Sequence, residues 1–479
     1  MSTDLDELFM ALGRQADAVP PVPLAAVKAR GRQRNRNRTA LAAAAAVLLV
    51  TAGLGVALQR ERHADPILPA TTPSRIRGMA PLGEPLRVAT GANWTAARIS
   101  GTRVIGFAGA AGGGHEVVAR DTRTGKTLWT VRDLDVSYLG VATTATAVIF
   151  VRQTGEQSEA SSAPVARSFE IHDPATGAEL WKLPHTDQDR FVLHEDVLVR
   201  LVGATGATEA YDLVTGERRW SAPAGGDRPL LITGTQTGAD AREVTAGGSD
   251  ALWDPSSAKA FPFTDDRLVQ ATTKGRIVIR DIHTGTVRST TPGPSEAGSL
   301  MAYEGMAYTT TGPVIRATGV SSRVVYEPRT PWYSDDFFPC GRDRLCVFES
   351  DEQESRLLLI DATTGATLRT TPAPVTGTAA VRLGHIMTSA GGDKGTALYD
   401  ENGTARYSDA GVGGFIDDGN ALTMTRDDDG RFVVRGVSNI DFQPVGLGST
   451  PELSGRCDWN AELLTCPTGT ELRTWRFTR

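Results

Sequence analysis

The chain has 479 residues, of which 22% are charged and 6% aromatic, and its formal net charge is −6. This length fits one large domain or two to three ordinary ones. Residues 1–38 hold seven Lys or Arg and four Asp or Glu, so residues 39–479 hold 43 basic and 52 acidic residues, a net charge of −9. So acidic a region is not expected to bind nucleic acid, and the abundance of Gly and Thr favours a β-rich extracellular protein.

Residues 1–38 form a polar head that ends in a basic run. Leu5, Leu8, Phe9 and Leu12 recur on one helical face, which predicts a short amphipathic helix. This helix is either a docking element for a cytoplasmic partner or, being short, only marginally stable. The basic run follows, with Lys28, Arg30, Arg32, Arg34, Arg36 and Arg38.

Residues 39–58 are a stretch of 20 residues without a charge. Such a stretch is long enough to cross about 30 Å of hydrocarbon as a helix. Because the basic run precedes it, the positive-inside rule places residues 1–38 in the cytoplasm and the remainder outside. The sequence predicts an uncleaved transmembrane signal anchor in a single-pass protein of the cell membrane. A cleaved signal peptide is the alternative, but the apolar stretch is long and no clear Ala-x-Ala follows.

Residues 59–85 are predicted to be a Pro-rich linker, and residues 86–479 an extracellular domain built from a repeat. We call the repeated Asp-x-x-Thr-Gly turn the corner. It is followed by Trp four residues after the Gly in three copies: Asp121, Thr124, Gly125 and Trp129; Asp173, Thr176, Gly177 and Trp181; Asp212, Thr215, Gly216 and Trp220. Asp281 with Gly285, Asp361 with Gly365, and the shorter Asp400 with Gly403 repeat the corner alone, with Ser289, Arg369 and Tyr407 at the Trp position.

The residue types of the corner are those that a tight hairpin turn requires. The Asp carboxylate accepts backbone N–H groups of the turn, and Thr adds a weaker bond of the same kind. Gly supplies the positive φ that closes the hairpin. The Trp on the outgoing strand covers apolar area on a neighbouring unit while its N–H finds a carbonyl.

These corners, strands and indoles resemble the repeat of the PQQ-like, quinoprotein-type β-propeller family. The resemblance implies an all-β propeller over residues 86–479, with seven or eight blades and eight favoured, and ring closure is expected to pair strands from both ends of this domain. The degraded copies that support this number are Val314–Gly319, Arg426–Arg431 and Cys466–Thr470, with residues 251–254 as an extra blade or an inner hairpin. The Ala- and Arg-rich head and anchor also resemble membrane proteins of high-GC actinobacteria.

The four cysteines all lie in the predicted exterior domain. Cys340 with Cys346 and Cys457 with Cys466 are close in sequence, so local disulfides are predicted, each stapling one hairpin. Zinc binding is the disfavoured alternative, because neither pair has Cys-x-x-Cys spacing.

The search for reaction chemistry gives no catalytic, cofactor-binding or metal residue. The zinc-protease, nucleophile-elbow and phosphate-loop motifs are missing from the sequence. The scattered histidines, among them His172 and His283 at repeat turns, are interpreted as turn residues rather than ligands. Asp427–Asp429 is interpreted as a hairpin turn rather than a calcium site. Asp335 and Asp336 stand among aromatic residues, where either a partner surface or blade packing explains the pattern.

Two functions remain. The first is a non-enzymatic binding or scaffold module for an unknown extracellular protein or small-molecule ligand, with possible signalling to a cytoplasmic partner of residues 1–38. The second follows from the resemblance alone: a PQQ-dependent quinoprotein dehydrogenase. The family's enzymes carry an adjacent Cys–Cys pair, and no two cysteines are adjacent here. The sequence therefore favours the binding module, with no cofactor.

Overall fold

A computed structural model describes the protein over residues 74–479, apart from 89–90, 111–113, 134–137, 155–162, 195, 236–264, 352 and 391–394. The predicted head, the anchor at residues 39–58 and most of the linker lie outside the described residues. In the part of the chain that is described, no helix is long and apolar enough to span a bilayer.

The described residues form antiparallel sheets of four strands, each a blade, in which consecutive strands are neighbours. Blade 1 comprises β3 (Ala92–Ser100), β4 (Arg103–Ala110), β5 (His115–Asp121) and β6 (Thr127–Asp133). Blade 2 comprises β7 (Tyr138–Thr143), β8 (Val148–Gln153), β9 (Ala166–His172) and β10 (Glu179–Thr186). Blade 3 comprises β11 (Arg190–Leu193), β12 (Val197–Leu201), β13 (Thr208–Asp212) and β14 (Arg218–Ala222).

The next blades repeat this order. Blade 4 comprises β15 (Pro229–Gly234), β16 (Arg267–Thr272), β17 (Arg276–Asp281) and β18 (Val287–Pro292). Blade 5 comprises β19 (Leu300–Tyr303), β20 (Met306–Thr311), β21 (Val314–Thr318) and β22 (Ser322–Tyr326). Blade 6 comprises β23 (Tyr333–Gly341), β24 (Arg344–Ser350), β25 (Ser355–Asp361) and β26 (Thr367–Pro372).

The last blades bring the two ends of the described chain together. Blade 7 comprises β27 (Thr378–Arg382), β28 (His385–Ser389), β29 (Thr396–Tyr399) and β30 (Ala405–Asp409). Blade 8 comprises β31 (Val412–Asp417), β32 (Asn420–Arg426), β33 (Phe432–Ser438) and β34 (Pro444–Thr450). Blade 9 comprises β35 (Asp458–Trp459), β36 (Leu463–Thr468), β37 (Glu471–Thr478) and, as its outer strand, β1 (Gly78–Pro81), continued by β2 (Leu86–Arg87).

The blades are arranged around a centre lined by their first strands. The first strand of one blade contacts the first strand of the next, as β11 does β15, β15 does β19, and β35 does β3. Fourth strands therefore lie at the rim. The cores lie between blades, where Phe107 of blade 1 packs 5.6 Å from Phe150 of blade 2, and Phe169 of blade 2 packs 4.6 Å from Phe191 of blade 3. Burying each such side chain contributes about 2–3 kcal/mol.

Ring closure joins the two ends of the domain. β1 runs antiparallel to β37, with Met79 opposite Phe477 and Pro81 opposite Trp475. Leu86 of β2 pairs further along, opposite Leu472. The sequence-based expectation of a closure between both ends is confirmed, and it pairs a strand edge that would otherwise be exposed. β1 lies within residues 59–85, which were assigned to the linker, so the closing strand begins before the predicted start of the propeller at residue 86.

The predicted blade number was wrong: nine blades, not seven or eight, occur in the described residues. The corner of blade 8 was hidden because it has Ser438 at the Asp position and Phe442 at the Gly position. Phe442 adopts a φ of 58° and donates its N–H to the carbonyl of Ser438 at 3.0 Å, so the turn survives without its signature. Blade 9 has no such corner, because its outer strand comes from the other end of the chain.

Of the three degraded copies counted in the sequence, one is a corner as predicted and two have other places in the fold. The segment ending in Gly319 is the corner of blade 5, which joins β21 to β22. Gly430 and Gly469 lie instead in hairpins between the second and third strands of blades 8 and 9. The long interval between Asp212 and Asp281 separates β15 from β16 of blade 4 and includes residues 236–264. Residues 251–254, interpreted as an extra blade or an inner hairpin, lie outside the described residues.

Both predicted disulfides form, and each is local. Cys340 of β23 is bonded to Cys346 of β24, and Cys457, which precedes β35, is bonded to Cys466 of β36. Each links the first two strands of one blade, so each closes only a short loop. On the chain-entropy account, a loop this short contributes about 2 kcal/mol.

Substitutions at two glycines separate the effect of the contact between blades from the effect of backbone strain. Gly216 and Gly469 have φ values of 73° and 74°, but an added Cβ would lie 2.6 Å from the Trp181 ring at Gly216 and meet nothing within 4 Å at Gly469. Gly469→Ala is expected to lower the unfolding free energy by about 1–2 kcal/mol through backbone strain alone. Gly216→Ala is expected to lose about 1–3 kcal/mol more, because the indole must move. Urea unfolding midpoints of the two variants test this, and equal losses would contradict the contact.

Candidate functional site

The corners are held by the hydrogen bonds that their sequence demands. In blade 3, Oδ1 of Asp212 accepts the N–H groups of Val214 at 3.0 Å and Thr215 at 2.8 Å. Gly216, at a φ of 73°, donates its N–H to the Asp212 carbonyl at 2.9 Å. The other corners with an Asp follow the same scheme, beginning at Asp121, Asp173, Asp281, Asp361 and Asp400.

The electrostatics of the corner favour ionised carboxylates. Partial burial opposes ionisation of Asp212, but hydrogen bonds from Arg219 and from the amides of Thr215 and Val214 outweigh it and lower the pKa of Asp212 to about 2. At Asp121 the hydrogen bond from the Thr124 amide is the largest cause of a lowered pKa. The carboxylates of Asp212 and Asp121 therefore serve as charged acceptors in their turns.

Each of the three indoles rests on the corner of the following blade. The Nε1–H of Trp129 donates to the carbonyl of Pro174 at 3.1 Å, that of Trp181 to Leu213 at 3.0 Å, and that of Trp220 to Ile282 at 2.8 Å. The rings lie against Gly177, Gly216 and Gly285, where an added Cβ would come within 2.6 Å of each indole. The corner glycine is thus needed both for its φ and for its missing side chain.

Blades without the indole are packed in other ways. An added Cβ at Gly403 would lie 2.5 Å from Leu359, and one at Gly365 would lie 3.3 Å from the carbonyl of Val324. Aliphatic side chains and backbone occupy the place of the indole at these junctions, which is why Arg369 of blade 6 is tolerated at the Trp position.

The corners and the first hairpins of the blades lie on one side of the propeller. The residue after the corner Asp donates its N–H to the first hairpin of its own blade: Leu213 to Asp196 at 3.0 Å, and Ile282 to Asp266 at 2.8 Å. Blades 1, 6 and 8 repeat this bond. We call the surface made of corners and first hairpins the corner face. Second-to-third-strand hairpins lie on the opposite face, because strands alternate in direction.

Ion pairs on the corner face connect neighbouring blades. Arg342 of blade 6 lies 3.3 Å from Glu304 of blade 5, and Arg382 of blade 7 donates to Asp418 of blade 8 at 2.6 Å. The Arg342–Glu304 pair, in which the Arg342 side chain is 77% exposed, contributes at most about 1 kcal/mol. The importance of the two pairs lies in placing charged side chains of both signs on one rigid surface.

The junction of blades 3 and 4 carries a polar cluster on the corner face. Its members are His194 and Asp196 of the first hairpin of blade 3, Arg219 of β14, and Asp266 and His283 of blade 4. Arg219 donates to Asp196 at 2.9 Å and to Asp212 at 2.6 Å. His283 lies 3.1 Å from Asp266 through Nε2 and 3.3 Å from Arg219 through Nδ1.

Sequence reasoning missed this cluster. His194 and His283 were treated as separate residues, and the structure brings their rings to a centroid distance of 5.1 Å. The available signal was positional, because His283 stands inside a corner and His194 inside the first hairpin of the preceding blade. His172, by contrast, contacts the carbonyl of Gly177 at 2.9 Å within its own corner. Burial lowers the pKa of His185 to about 4, which keeps it neutral between Phe169 and Phe191.

Comparison with known proteins identifies the repeat. The sequence profile of a family described as outer membrane protein assembly factor BamB matches residues 113–371, more than half of the chain. The chain belongs to this PQQ-like, BamB-type family. The resemblance found in the corners is therefore confirmed. No curated protein matches the sequence.

Solved structures similar to this BamB-family propeller include three proteins. BamB from Moraxella catarrhalis is 12% identical, covers 83% of this chain and 100% of its own, and has a TM-score of 0.41. The computationally designed Ika8 protein is 12% identical, covers 84% of this chain and 100% of its own, and has a TM-score of 0.40. The C-terminal WD40 domain of Sif2 is 9% identical, covers 85% of this chain and 100% of its own, and has a TM-score of 0.40.

The cysteines of this BamB-family chain do not fit a quinone site. Both pairs are bonded within single hairpins, so they provide no adjacent pair of the kind the quinoprotein enzymes carry.

Asp427 accepts the N–H groups of Asp429 and Arg431 with one oxygen, the use expected of a turn acceptor.

The acidic and aromatic segment of blade 6 divides between core and surface. Phe337 and Phe338 are buried, whereas Tyr333 is 53% exposed at the opposite face. Burial raises the pKa of Asp336 to about 7, with the Asp335 charge adding to the effect and the N–H of Phe337 only partly opposing it. Blade packing explains the two phenylalanines, and Asp336 is a carboxyl group held in an unfavourable environment.

Asp336 gives the propeller a pH-dependent stability. Between about pH 4 and pH 7 the folded protein keeps a proton on Asp336 that the unfolded chain has lost, so the stabilising effect of low pH disappears as pH rises through this window. Asp336→Asn is expected to raise the unfolding free energy by about 1–3 kcal/mol at pH 8 and to change little near pH 4. Urea unfolding at both pH values tests this. The exposed Asp428→Asn is the control, and a gain of equal size at both pH values would contradict the account.

Proposed function

We propose that the chain is a non-enzymatic scaffold, tethered to the outer face of a cell membrane, which holds a partner protein on its corner face. Membership of a family described as an assembly factor supports a role in holding other proteins. The site residues serve the backbone rather than a reaction: the corner carboxylates accept turn amides, and the cysteines staple hairpins.

The observation that carries this proposal is the double attachment of the corner face. In blades 1, 3, 4 and 6 the corner is fixed by its carboxylate and tied by a backbone hydrogen bond to the first hairpin of its blade. The first hairpins present exposed charges, with the side chains of Arg342, Asp196 and Asp266 exposed by 77%, 49% and 59%. A surface that is ordered before binding loses less entropy when a partner docks.

The tether is supported by the sequence of the head and anchor. The uncharged residues 39–58 follow a basic run, and the positive-inside rule then leaves the propeller outside and residues 1–38 in the cytoplasm. The apolar face of Leu5, Leu8, Phe9 and Leu12 provides a docking element for a cytoplasmic partner, so that occupancy of the propeller is reported across the membrane.

Photo-crosslinking in cells tests which face binds. A benzoylphenylalanine in place of Arg342 is expected to give a discrete protein adduct, because Arg342 projects from the corner face. The same residue in place of Asp428, exposed on the opposite face, is the matched control and is expected to give none. Equal adducts at both positions, or an adduct at 428 alone, would contradict a corner-face partner. If the purified protein retained PQQ and reduced a dye, the scaffold function would be wrong and the function of a PQQ-dependent dehydrogenase would take its place.

Cysteine labelling tests the tether. Asp428→Cys is expected to react with a membrane-impermeant maleimide on intact cells, and Ser2→Cys only after lysis, because the membrane separates the two positions. Labelling is read by mass shift on a gel. Labelling of residue 2 on intact cells would overturn the proposed orientation. Loss of residue 2 from the mature protein would overturn the uncleaved anchor.

A further inference from the structure

We propose that the junction of blades 3 and 4 binds one divalent transition-metal ion, with the chemistry of zinc, through His194, Asp266 and His283. This inference does not depend on the proposed partner protein. The three residues come from different hairpins, two in blade 4 and one in blade 3, so the ion would join neighbouring blades at the corner face.

The ligand geometry fits a small tetrahedral ion. One ligand atom from each of the three residues lies within 4.8 Å of the other two. Oδ1 of Asp266 lies 3.1 Å from Nε2 of His283 and 3.8 Å from Nε2 of His194. Zinc bonds of about 2.0–2.1 Å place tetrahedral ligands about 3.4 Å apart. The two measured distances bracket that value, so rotations of the side chains suffice to close the site.

His194 supplies an independent indication of a ligand. The residue is 3% exposed, its Nδ1 has only the carboxylate of Asp196 at 3.4 Å, and its Nε2 has no hydrogen-bond partner among the described residues. A buried polar atom left without a partner is destabilising by about 1–3 kcal/mol. Its Nε2 faces the carboxylate of Asp266. A metal ion between them gives this nitrogen the partner that the protein does not provide.

Asp196 lies where an outer carboxylate of a metal site is expected. Its Oδ1 is 3.4 Å from Nδ1 of His194, the nitrogen that remains when Nε2 of His194 binds metal. Nδ1 of His283 lies 3.8 Å from the same oxygen and accepts from Arg219 at 3.3 Å, so metal binding at Nε2 of His283 moves its proton to Nδ1 and turns Arg219 away. Histidines that bind metals commonly donate their second N–H to such a carboxylate. The other oxygen of Asp196 accepts from Arg219 at 2.9 Å, which fixes the orientation of the carboxylate.

The site is open to solvent on one side. The Asp266 side chain is 59% exposed and that of His283 33% exposed, whereas His194 is buried beneath them. Three protein ligands leave a fourth position of a tetrahedral ion for water or for a group from outside.

A second group of potential ligands is less suited to a metal. Glu170, His172 and Glu179 also lie within reach of one another. Lys182 lies 3.1 Å from Glu170 and 3.0 Å from Glu179, and Arg152 lies 3.1 Å from Glu170. Cations of the protein already neutralise these carboxylates, so an added ion would have to displace them. This group provides the control for the experiment.

Metal titration of the full chain tests the proposal. The protein is purified in detergent without a histidine tag, stripped with EDTA and titrated calorimetrically with Zn²⁺, and Co²⁺ is used as a spectroscopic probe of coordination. We expect one ion per chain and the absorption of tetrahedral cobalt. Asp266→Asn and His283→Gln are expected to weaken binding more than 100-fold, and Asp196→Asn by 10–100-fold, as for outer carboxylates of known sites. Glu179→Gln is expected to bind as the wild type.

The outcomes separate the alternatives. Asp266 is exposed, so Asp266→Asn is expected to keep the wild-type thermal unfolding temperature in EDTA, which guards against loss of binding through misfolding. Failure of the wild type to bind Zn²⁺, or unchanged binding in both Asp266→Asn and His283→Gln, overturns the proposal. A loss confined to Glu179→Gln would assign the ion to the second group and also overturn it.

Discussion

The contact between an indole and the corner of the following blade is the constraint on which the first half of the ring depends. Trp129, Trp181 and Trp220 each place the ring where a corner glycine leaves room and donate the ring N–H to a carbonyl of the same corner. Each contact combines burial of a large apolar ring with one hydrogen bond, about 2–3 kcal/mol and about 1 kcal/mol respectively. Because the corner is itself fixed by its Asp carboxylate, the contact fixes the position of one blade relative to the next.

The second half of the ring uses less uniform contacts for the same purpose. Leu359 packs against Gly403, ion pairs connect blade 5 with blade 6 and blade 7 with blade 8, and the last blade borrows its outer strand from residues 78–81. The closed ring therefore does not require an indole at every junction. It requires that each corner keep its backbone conformation, so that the corner face presents the first hairpins in fixed positions.

The corner could be predicted from sequence where local hydrogen bonding demands a particular residue type. Asp and Gly at six corners meet such a demand, and each cysteine pair is close enough in sequence to indicate its own hairpin. The corner of blade 8 could not be recognised, since Ser438 and Phe442 reach the same turn without those residue types. The outer strand of blade 9 could not be recognised either, because pairing between β1 and β37 is not local. The cluster of His194, Asp266 and His283 depends on the junction between two blades, which no pattern within one repeat records.

Hydrogen exchange of the corner amides, compared between the wild type and Trp181→Ala, tests the central claim most directly. Trp181 belongs to blade 2 but rests on the corner of blade 3. The account predicts faster exchange of the Val214, Thr215 and Gly216 amides in the variant, while the amides of the blade 2 corner, Ala175 to Gly177, keep their wild-type protection under Trp129. Faster exchange confined to the corner of blade 2, or no change at either corner, would contradict the claim that each indole holds the following blade in place.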